Sequence, residues 1–327
     1  MFSSYDGLCG IGELAERAGV SVKTVRFYSD SGLLPEASRT AGGHRRYGPD
    51  SLARLRLIRS LRAMDLPVPS VRRILDEEDT AGRAGGALED AVAGQLRTLG
   101  TQLRALRWRE AALRLVQECA PDERADRLRL VGAVTAPPNT APMARFWRAW
   151  LPPRMPARSV TAFLDVAVPQ PPEDPGTAQV LAFARLYAFV DRPCGGTEPT
   201  QPHAHRAAGA RDSAVLYAGL AQAYALAAER MRAGSEPHQG EALDGFVEAY
   251  ASAGGITDTP NFRRELARRL AADPRIDRYW ELTAELISPP DGSPEPTPGS
   301  AHDWLLDALN TQQGIALPAQ RPGRARS

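Results

Sequence analysis

The feature that most constrains this chain of 327 residues is a stretch near its start, where two short helices are predicted on either side of a glycine. Ile11, Leu14 and Ala15 recur at helical spacing, which gives the first helix one apolar face. Gly19 is typical of a residue that ends a helix. Ser21 is a suitable N-cap, so we expect a second helix to begin directly after it.

The second predicted helix would bury Val22 and Val25 and expose polar side chains. Helix, glycine turn and helix form the layout of a helix-turn-helix, whose second helix enters the major groove of DNA. Lys23, Thr24 and Arg26 lie on or near the polar face, where they could meet base edges and phosphates.

A two-stranded hairpin with a flexible tip is predicted for residues 36 to 48, because this segment combines glycines with arginines. Its basic side chains would lie against phosphates beside the groove. The glycines are Gly42, Gly43 and Gly48, and the arginines are Arg39, Arg45 and Arg46.

The order of these elements closely resembles the DNA-binding domain of the MerR family of transcription regulators. The resemblance is carried by TVRFYSDSGLLP, then GGHRRY, then PDSLARLRLIRSLRAMDLPVPSVRRIL. It implies a winged helix-turn-helix over residues 11–75, followed by a long dimerisation helix. It also implies that Arg26 is the recognition-helix arginine, that Tyr28 touches phosphate, and that Arg45, Arg46 and Tyr47 end the wing. Phe27 replaces a frequent Tyr and His44 a frequent Tyr or Phe, which could shift sequence preference. The full predicted DNA-contact set is Lys23, Thr24, Arg26, Tyr28, Arg39, His44, Arg45, Arg46 and Tyr47.

Two helices are expected after the hairpin, and the resemblance makes them a second wing. Leucines and Ile58 of the first helix would pack inward, while Arg54, Arg56, Arg59 and Arg62 line much of its other side. A solvated face and contact with DNA are equally good explanations of those arginines. The acidic, then glycine-rich segment 76–86 is interpreted as a hinge.

A heptad pattern predicts a long helix over residues 87–118 that pairs with a second copy of the chain. Glu110 and Gln117 interrupt the apolar seam and could set its register. Packing of this helix against the chain's own C-terminal region is the alternative. A two-fold homodimer is favoured because it would present two recognition helices to a pseudo-palindromic site, and the resemblance implies an antiparallel coiled coil. The predicted seam consists of Val92, Leu96, Leu99, Leu103, Leu106 and Leu113.

The remaining chain is predicted to form a separate α-helical domain over residues 121–313, so the fold class is mainly α. Helical periodicity recurs at 142–151, 177–191, 211–233, 240–253, 260–272, 275–287 and 301–313. Residues 1–10 are expected to be a loose leader, and residues 314–327 a disordered basic tail.

Composition and charge are consistent with a protein that binds nucleic acid. Up to residue 75 there are 12 Lys and Arg against 7 Asp and Glu, and 28 against 32 after it. This asymmetry favours a polyanion at the N-terminal domain, namely double-stranded DNA. No apolar run approaches the roughly 18 residues of a membrane span, and no secretory signal is recognised, so we expect no membrane association and a cytoplasmic location.

Metal sensing is disfavoured, since only Cys119 lies near the end of the dimerisation helix and soft ions need several thiolates. An iron–sulfur cluster is disfavoured for the same reason. Cys194, His203 and His205 lack the spacing of a zinc site and are interpreted as a solvent-facing loop. No cofactor is predicted.

An organic effector fits the C-terminal region better, because aromatic residues concentrate on its predicted helices. Asp244, Glu248 and Glu281 lie near them and would suit a cationic group. The alternative is that the rings only fill a helical core. The candidate ligand residues are Tyr217, Tyr224, Phe246, Tyr250 and Trp280.

The sequence therefore predicts a dimeric regulator that responds to a small organic effector. The resemblance implies that it binds between two promoter hexamers and distorts their spacer for RNA polymerase. One alternative is an architectural DNA-binding protein without a ligand. Another is an enzyme fused to a DNA-binding domain, which is disfavoured because no nucleophile elbow, phosphate loop or paired metal ligands are found; no catalytic residue is predicted.

Overall fold

A computed structural model describes residues 7–79, 86–152, 155–191, 210–272, 276–290 and 292–314. The chain divides into two compact units, Met1–Gln102 and Leu103–Ser327. Among the described residues, no helix has the length and apolarity needed to cross a membrane.

The first unit begins with the two predicted helices. Helix α1 (Ile11–Ala18) ends at Gly19, whose φ of 63° is the left-handed conformation that favours glycine. Helix α2 (Val22–Asp30) starts after Ser21, whose hydroxyl accepts a hydrogen bond from the Thr24 amide at 3.1 Å. The predicted helix, glycine turn and N-cap are confirmed.

A small antiparallel sheet follows, with strands β1 (Cys9–Gly10), β2 (Ser38–Arg39) and β3 (Arg45–Tyr47) in the order β1-β3-β2. Strands β2 and β3 are the predicted hairpin, and Gly43 at its tip has a φ of 78°. Strand β1 was not predicted. Its Cys9 is buried opposite Tyr47, so the predicted leader 1–10 extends two residues too far.

Helices α3 (Ser51–Ala63) and α4 (Val68–Asp79) complete the helix-turn-helix domain. Helix α4 includes the acidic half of the predicted hinge, and the Glu77 carboxylate accepts a hydrogen bond from the Ala87 amide at 2.9 Å. Residues 80–85 lie outside the described chain. The core of this unit lies between these helices and the sheet, around Leu14, Val25 and Leu55.

Several arginines of α3 and α4 donate hydrogen bonds to backbone carbonyls. This role differs from both explanations offered for the α3 arginines, a solvated face and contact with DNA. Helix C-termini leave carbonyl groups without partners and favour a cation nearby. These arginines therefore hold the ends of neighbouring helices and loops. The pairs are Arg54 with Leu33, Arg59 with Ala18, Arg62 with Leu66, and Arg72 with Ser31.

Helix α5 (Gly86–Glu118) is 33 residues long, or about 50 Å at 1.5 Å per residue. Ala87 and Ala91 near its start belong to the core of the first unit. Trp108, Ala111 and Leu115 near its end belong to a core of the second.

In the described residues of the second unit, helices are the only regular secondary structure. The predicted helices are confirmed with shifts of a few residues at their ends. Two more helices, α6 (Arg124–Gly132) and α8 (Ala157–Ala167), were missed. Helix α6 buries no residue completely, so it has no apolar face to give a periodic signal. After α5 the helices are α6 (Arg124–Gly132), α7 (Ala141–Trp150), α8 (Ala157–Ala167), α9 (Thr177–Val190), α10 (Ala210–Arg232), α11 (Glu241–Gly254), α12 (Pro260–Ala272), α13 (Asp277–Ile287) and α14 (Pro298–Gln312).

Two hydrophobic clusters form the interior of this unit. One surrounds Phe246 on α11 and includes residues of α10, α12 and α14. The other surrounds Trp147 and Tyr279 and includes Phe183 of α9 and Trp108 of α5. The C-terminal half of α5 is thus part of the second unit's packing.

Candidate nucleic-acid interface and ligand cavity

The outward face of α2 carries both cationic and apolar side chains. Lys23 and Arg26 are exposed, as predicted. Phe27 is also exposed, by 54%. The prediction that Val22 is buried is wrong, since this first residue of α2 is 40% exposed. Thr24 is half-buried and its hydroxyl lies 2.8 Å from that of Ser21, so it supports the helix cap.

The two tyrosines predicted to touch DNA lie mostly inside the domain. Tyr47 is completely buried, and its hydroxyl lies 2.8 Å from that of Ser29. The prediction of a DNA contact is therefore wrong for Tyr47, because strand alternation turns this side chain to the core. Tyr28 is 8% exposed, so only an edge of its ring reaches the surface.

Arg45 and Arg46 are occupied by contacts within the domain. The Arg45 guanidinium lies 2.6 Å from the Asp30 carboxylate and 3.4 Å from that of Glu36. The hydrogen bond with Asp30 raises the pKa of Arg45, a direction opposed by desolvation and aided by the Asp30 charge. Arg46 donates to the Leu8 carbonyl at 2.9 Å. In this structure both side chains hold the hairpin against the rest of the domain.

The hairpin tip and its outer strand keep accessible basic groups. Arg39 is exposed and lies 2.8 Å from the Glu36 carboxylate, an ion pair that solvent weakens. His44 is exposed at the tip. Lys23, Arg26, Arg39 and His44 are thus the exposed members of the predicted DNA-contact set, while Thr24, Arg45 and Arg46 are partly buried.

The predicted seam of α5 is exposed along its whole length. Trp108, Ala111 and Leu115, on another face, supply the helix's buried contacts with the second unit. The helix thus packs with the C-terminal region, as the alternative expected, but through a face other than the seam. Exposed fractions run from 36% to 72% for Val92, Leu96, Leu99, Leu103, Leu106 and Leu113.

A cavity of about 420 Å³ opens within the second unit, within the roughly 300–1,000 Å³ range of small-molecule sites. Four of the five predicted ligand residues line it: Tyr217, Tyr224, Tyr250 and Trp280. The prediction is wrong for Phe246, which is completely buried in the neighbouring core.

Further aromatic rings and a helix face with small side chains complete the cavity wall. Trp147 packs edge-on against Trp150 and Phe163, with ring centroids 5.3 and 5.2 Å apart. All three line the cavity, and α10 adds Ala218 and Ala221. Phe163 escaped sequence reasoning because its helix, α8, was itself missed. Helical spacing alone gives no signal that separates cavity-lining rings from core rings.

The polar groups of the cavity differ from those expected. The Tyr224 hydroxyl lies 3.0 Å from Nδ1 of His302. Burial raises the pKa of Tyr224, and the charges of Tyr217 and Asp303 raise it further, so its hydroxyl stays neutral. Asp277, Asp303 and Arg158 are the charged lining residues.

The three carboxylates predicted near a ligand do not line the cavity. Each has a partner on the protein surface. The pairs are Asp244 with Arg263 at 2.8 Å, Glu248 with Ser252 at 2.6 Å, and Glu281 with Arg278 at 3.0 Å.

Among the described residues, no three His, Cys, Asp or Glu side chains come together in a group that could hold a metal ion. The Cys119 thiol donates to the Val116 carbonyl at 3.2 Å. Cys194, His203 and His205 lie outside the described residues.

Comparison with known proteins agrees with the geometry of the first unit. Residues 9–78 match the MerR HTH family regulatory protein model. Nodulation protein NolA of Bradyrhizobium sp. (strain NC92) is 44% identical over 66 residues, which cover 20% of this chain and 28% of NolA. The match thus spans under a third of that relative's length.

Two further matches extend beyond the DNA-binding domain. An HTH-type transcriptional regulator of Pseudomonas aeruginosa is 31% identical over 117 residues, covering 36% of this chain and 89% of the relative. The crystal structure of the transcription regulator PbrR691 from Ralstonia metallidurans CH34 in complex with lead(II) is 35% identical, covers 35% of this chain and 89% of that chain, and has a TM-score of 0.32. The family match and the long regulator match show that this chain belongs to the MerR family of DNA-binding transcription regulators.

Proposed function

We propose that the protein acts as a homodimer on a pseudo-palindromic promoter site and responds to a small organic effector bound in the second unit. The observation that carries the proposal is the exposed apolar seam of α5. Leucines at alternating spacings of three and four on one helix face are the pattern of a coiled coil.

A second copy of the chain is the partner that fits this seam. The same face repeated on two helices is self-complementary under two-fold symmetry. Such a dimer would present two α2 helices to related half-sites. By resemblance to the family, the two α5 helices run antiparallel.

The proposed mechanism is distortion of the promoter spacer. Bending and untwisting a site of this size takes on the order of a few kcal/mol, which protein–DNA contacts must offset. An effector that binds one protein conformation better than another shifts which conformation holds the DNA. The distorted spacer would then align the promoter hexamers for RNA polymerase.

The ligand cavity supports an organic effector. Its walls are mainly aromatic and aliphatic, with a few polar groups such as Tyr224 and His302, as in sites for drug-sized molecules. A ligand-independent architectural protein would not need this cavity, so the cavity favours the sensing role. We propose regulation by binding alone, without catalysis.

The decisive experiment is footprinting and mobility-shift titration on the DNA upstream of the protein's own gene. Replacing exposed Arg26 by Ala should abolish specific binding. Arg129→Ala removes the same charge from an exposed position in the second unit and is the matched control. Specific affinity that survives Arg26→Ala would refute the assigned contact, and protection without two related half-sites would refute the dimeric arrangement.

A further inference from the structure

Two apolar side chains share the outward face of α2 with its two cationic ones. Val22 and Arg26 are four residues apart, as are Lys23 and Phe27, so the four side chains occupy two neighbouring rows on the helix. Val22 is 40% exposed and Phe27 is 54% exposed. The face offered to DNA is thus as apolar as it is basic.

The inner face of α2 shows that these apolar residues are not needed for the core. Val25 and Tyr28 fill the interior of the domain. The Phe27 ring touches the Tyr28 ring, with centroids 5.5 Å apart, and otherwise faces outward. Isolated exposed apolar residues are ordinary on a protein surface. Here, however, they flank Lys23 and Arg26 on the second helix of the helix-turn-helix, the helix that enters the major groove in this motif.

The major groove offers an apolar partner at one kind of base. Phosphates and the guanine edge attract cationic side chains, whereas thymine presents a C5-methyl group. An aromatic or aliphatic side chain covers that methyl and removes apolar surface from water. No phosphate or hydrogen-bonding base edge rewards a phenyl ring in this way.

We propose that Phe27, assisted by Val22, reads thymine methyl groups in each half-site. The inference rests on the proposed function, because it requires α2 to enter the major groove. It adds a sequence preference that Lys23 and Arg26 alone do not supply. The half-site should carry thymines next to the bases or phosphates that these two cationic side chains contact. The competing arrangement places the Phe27 ring against deoxyribose, which carries no sequence information.

The test replaces single thymines by uracil, which pairs identically but lacks the methyl. Sites are first selected from a random duplex library by the full-length protein. Uracil is then placed at each thymine of both half-sites, and the dissociation constant is measured by fluorescence anisotropy. At the contacted positions affinity should fall about fourfold per half-site and about fifteenfold for both, the effect of exposing one methyl-sized group.

Variants assign the effect to the side chain. In the Phe27→Ala variant the same uracil substitutions should not change the affinity, since the partner of the methyl is gone. In the Val22→Ala variant, uracil at a neighbouring thymine should likewise not change the affinity. Lys23→Ala should weaken every duplex alike and keep the uracil sensitivity. Leu128 has the same 54% exposure but lies on α6, so Leu128→Ala should behave as the unaltered protein.

Two failures are distinguishable. If the protein selects no preferred sequence from the library, the proposed function fails. If it selects a site but tolerates uracil at every thymine, or if Phe27→Ala keeps full uracil sensitivity, only the thymine reading is overturned. The uracil scan on the unaltered protein needs no variant, so the outcome does not depend on Phe27→Ala folding well.

Discussion

The two units of this protein place their aromatic side chains differently. In the DNA-binding unit the rings of Tyr28 and Tyr47 are buried, and cationic side chains occupy the outer face. In the second unit the rings of Trp147, Tyr217 and Trp280 line an open cavity instead. The contrast favours an external partner for the first unit and agrees with the proposed small ligand in the second.

The largest expected effect concerns the helix that both units share. Leu99→Glu with Leu103→Glu should convert the proposed dimer to monomers, because the two charges would enter its symmetric interface twice, at a cost of roughly 5 kcal/mol or more. Sedimentation equilibrium measures the molecular mass. Leu128→Glu, at an exposed leucine outside the seam, should leave the mass unchanged. A double variant that remains dimeric would show that the seam is not the interface.

The next effect tests whether Tyr47 belongs to the interior or to the DNA surface. Tyr47→Ala should lower the free energy of unfolding by about 4 kcal/mol, as for other large-to-small core changes. Tyr47→Phe removes only the hydroxyl that meets Ser29 and should lower it by about 1 kcal/mol. Urea denaturation measures both. The Phe variant should keep its DNA affinity; a folded Tyr47→Phe protein that loses DNA binding would restore the contact predicted from the resemblance.

A smaller effect sharpens the distinction between a cavity and a packed core. Ala221→Leu should fill part of the cavity and weaken binding of the aromatic probe 1-anilinonaphthalene-8-sulfonate by about tenfold, or about 1.4 kcal/mol. Fluorescence titration of the purified protein provides the measurement. Ala225→Leu adds the same side chain to an exposed position of α10 that does not line the cavity. Equal probe binding by both variants would argue against a ligand in this cavity.

The smallest effect concerns arginines inside the DNA-binding unit. Arg59→Met should lower the free energy of unfolding by about 1 kcal/mol, since the last carbonyl of α1 loses a charged donor on a partly solvated surface. Arg56→Met makes the same change at an exposed position of α3 and should be nearly neutral. Thermal melts of the two variants can be compared directly. Identical melting temperatures would mean that the Arg59 hydrogen bond contributes little in solution.

Sequence reasoning succeeded where local chemistry decides the structure. Gly19 and Ser21 fix the turn and the N-cap, and their roles are readable one residue at a time. Strand β3 spans three residues, which is too short for alternation to show which side faces inward. The inward direction of Tyr47 depends on pairing with Cys9, a contact 38 residues away in sequence that no local pattern reveals.

In the second unit, periodicity found helices but could not select the rings that matter. Phe246 and Tyr250 are one helical turn apart on α11, with ring centroids 5.3 Å apart. Only Tyr250 lines the cavity. Likewise, Asp303 lies beside Tyr224 while Asp244 pairs with Arg263 at the surface. These choices depend on how helices far apart in sequence pack together, so the sequence alone could not make them.

The position of Trp108 has a mechanical consequence. Its indole nitrogen donates to the Pro172 carbonyl at 3.0 Å, and its ring meets Phe183 edge-on at 5.4 Å. It shares a packed cluster with Trp147 and Trp150, which form part of the cavity wall. The C-terminal end of α5 therefore packs in the same cluster as rings of the cavity wall. If a ligand rearranged that cluster, the end of α5 would have to adjust with it.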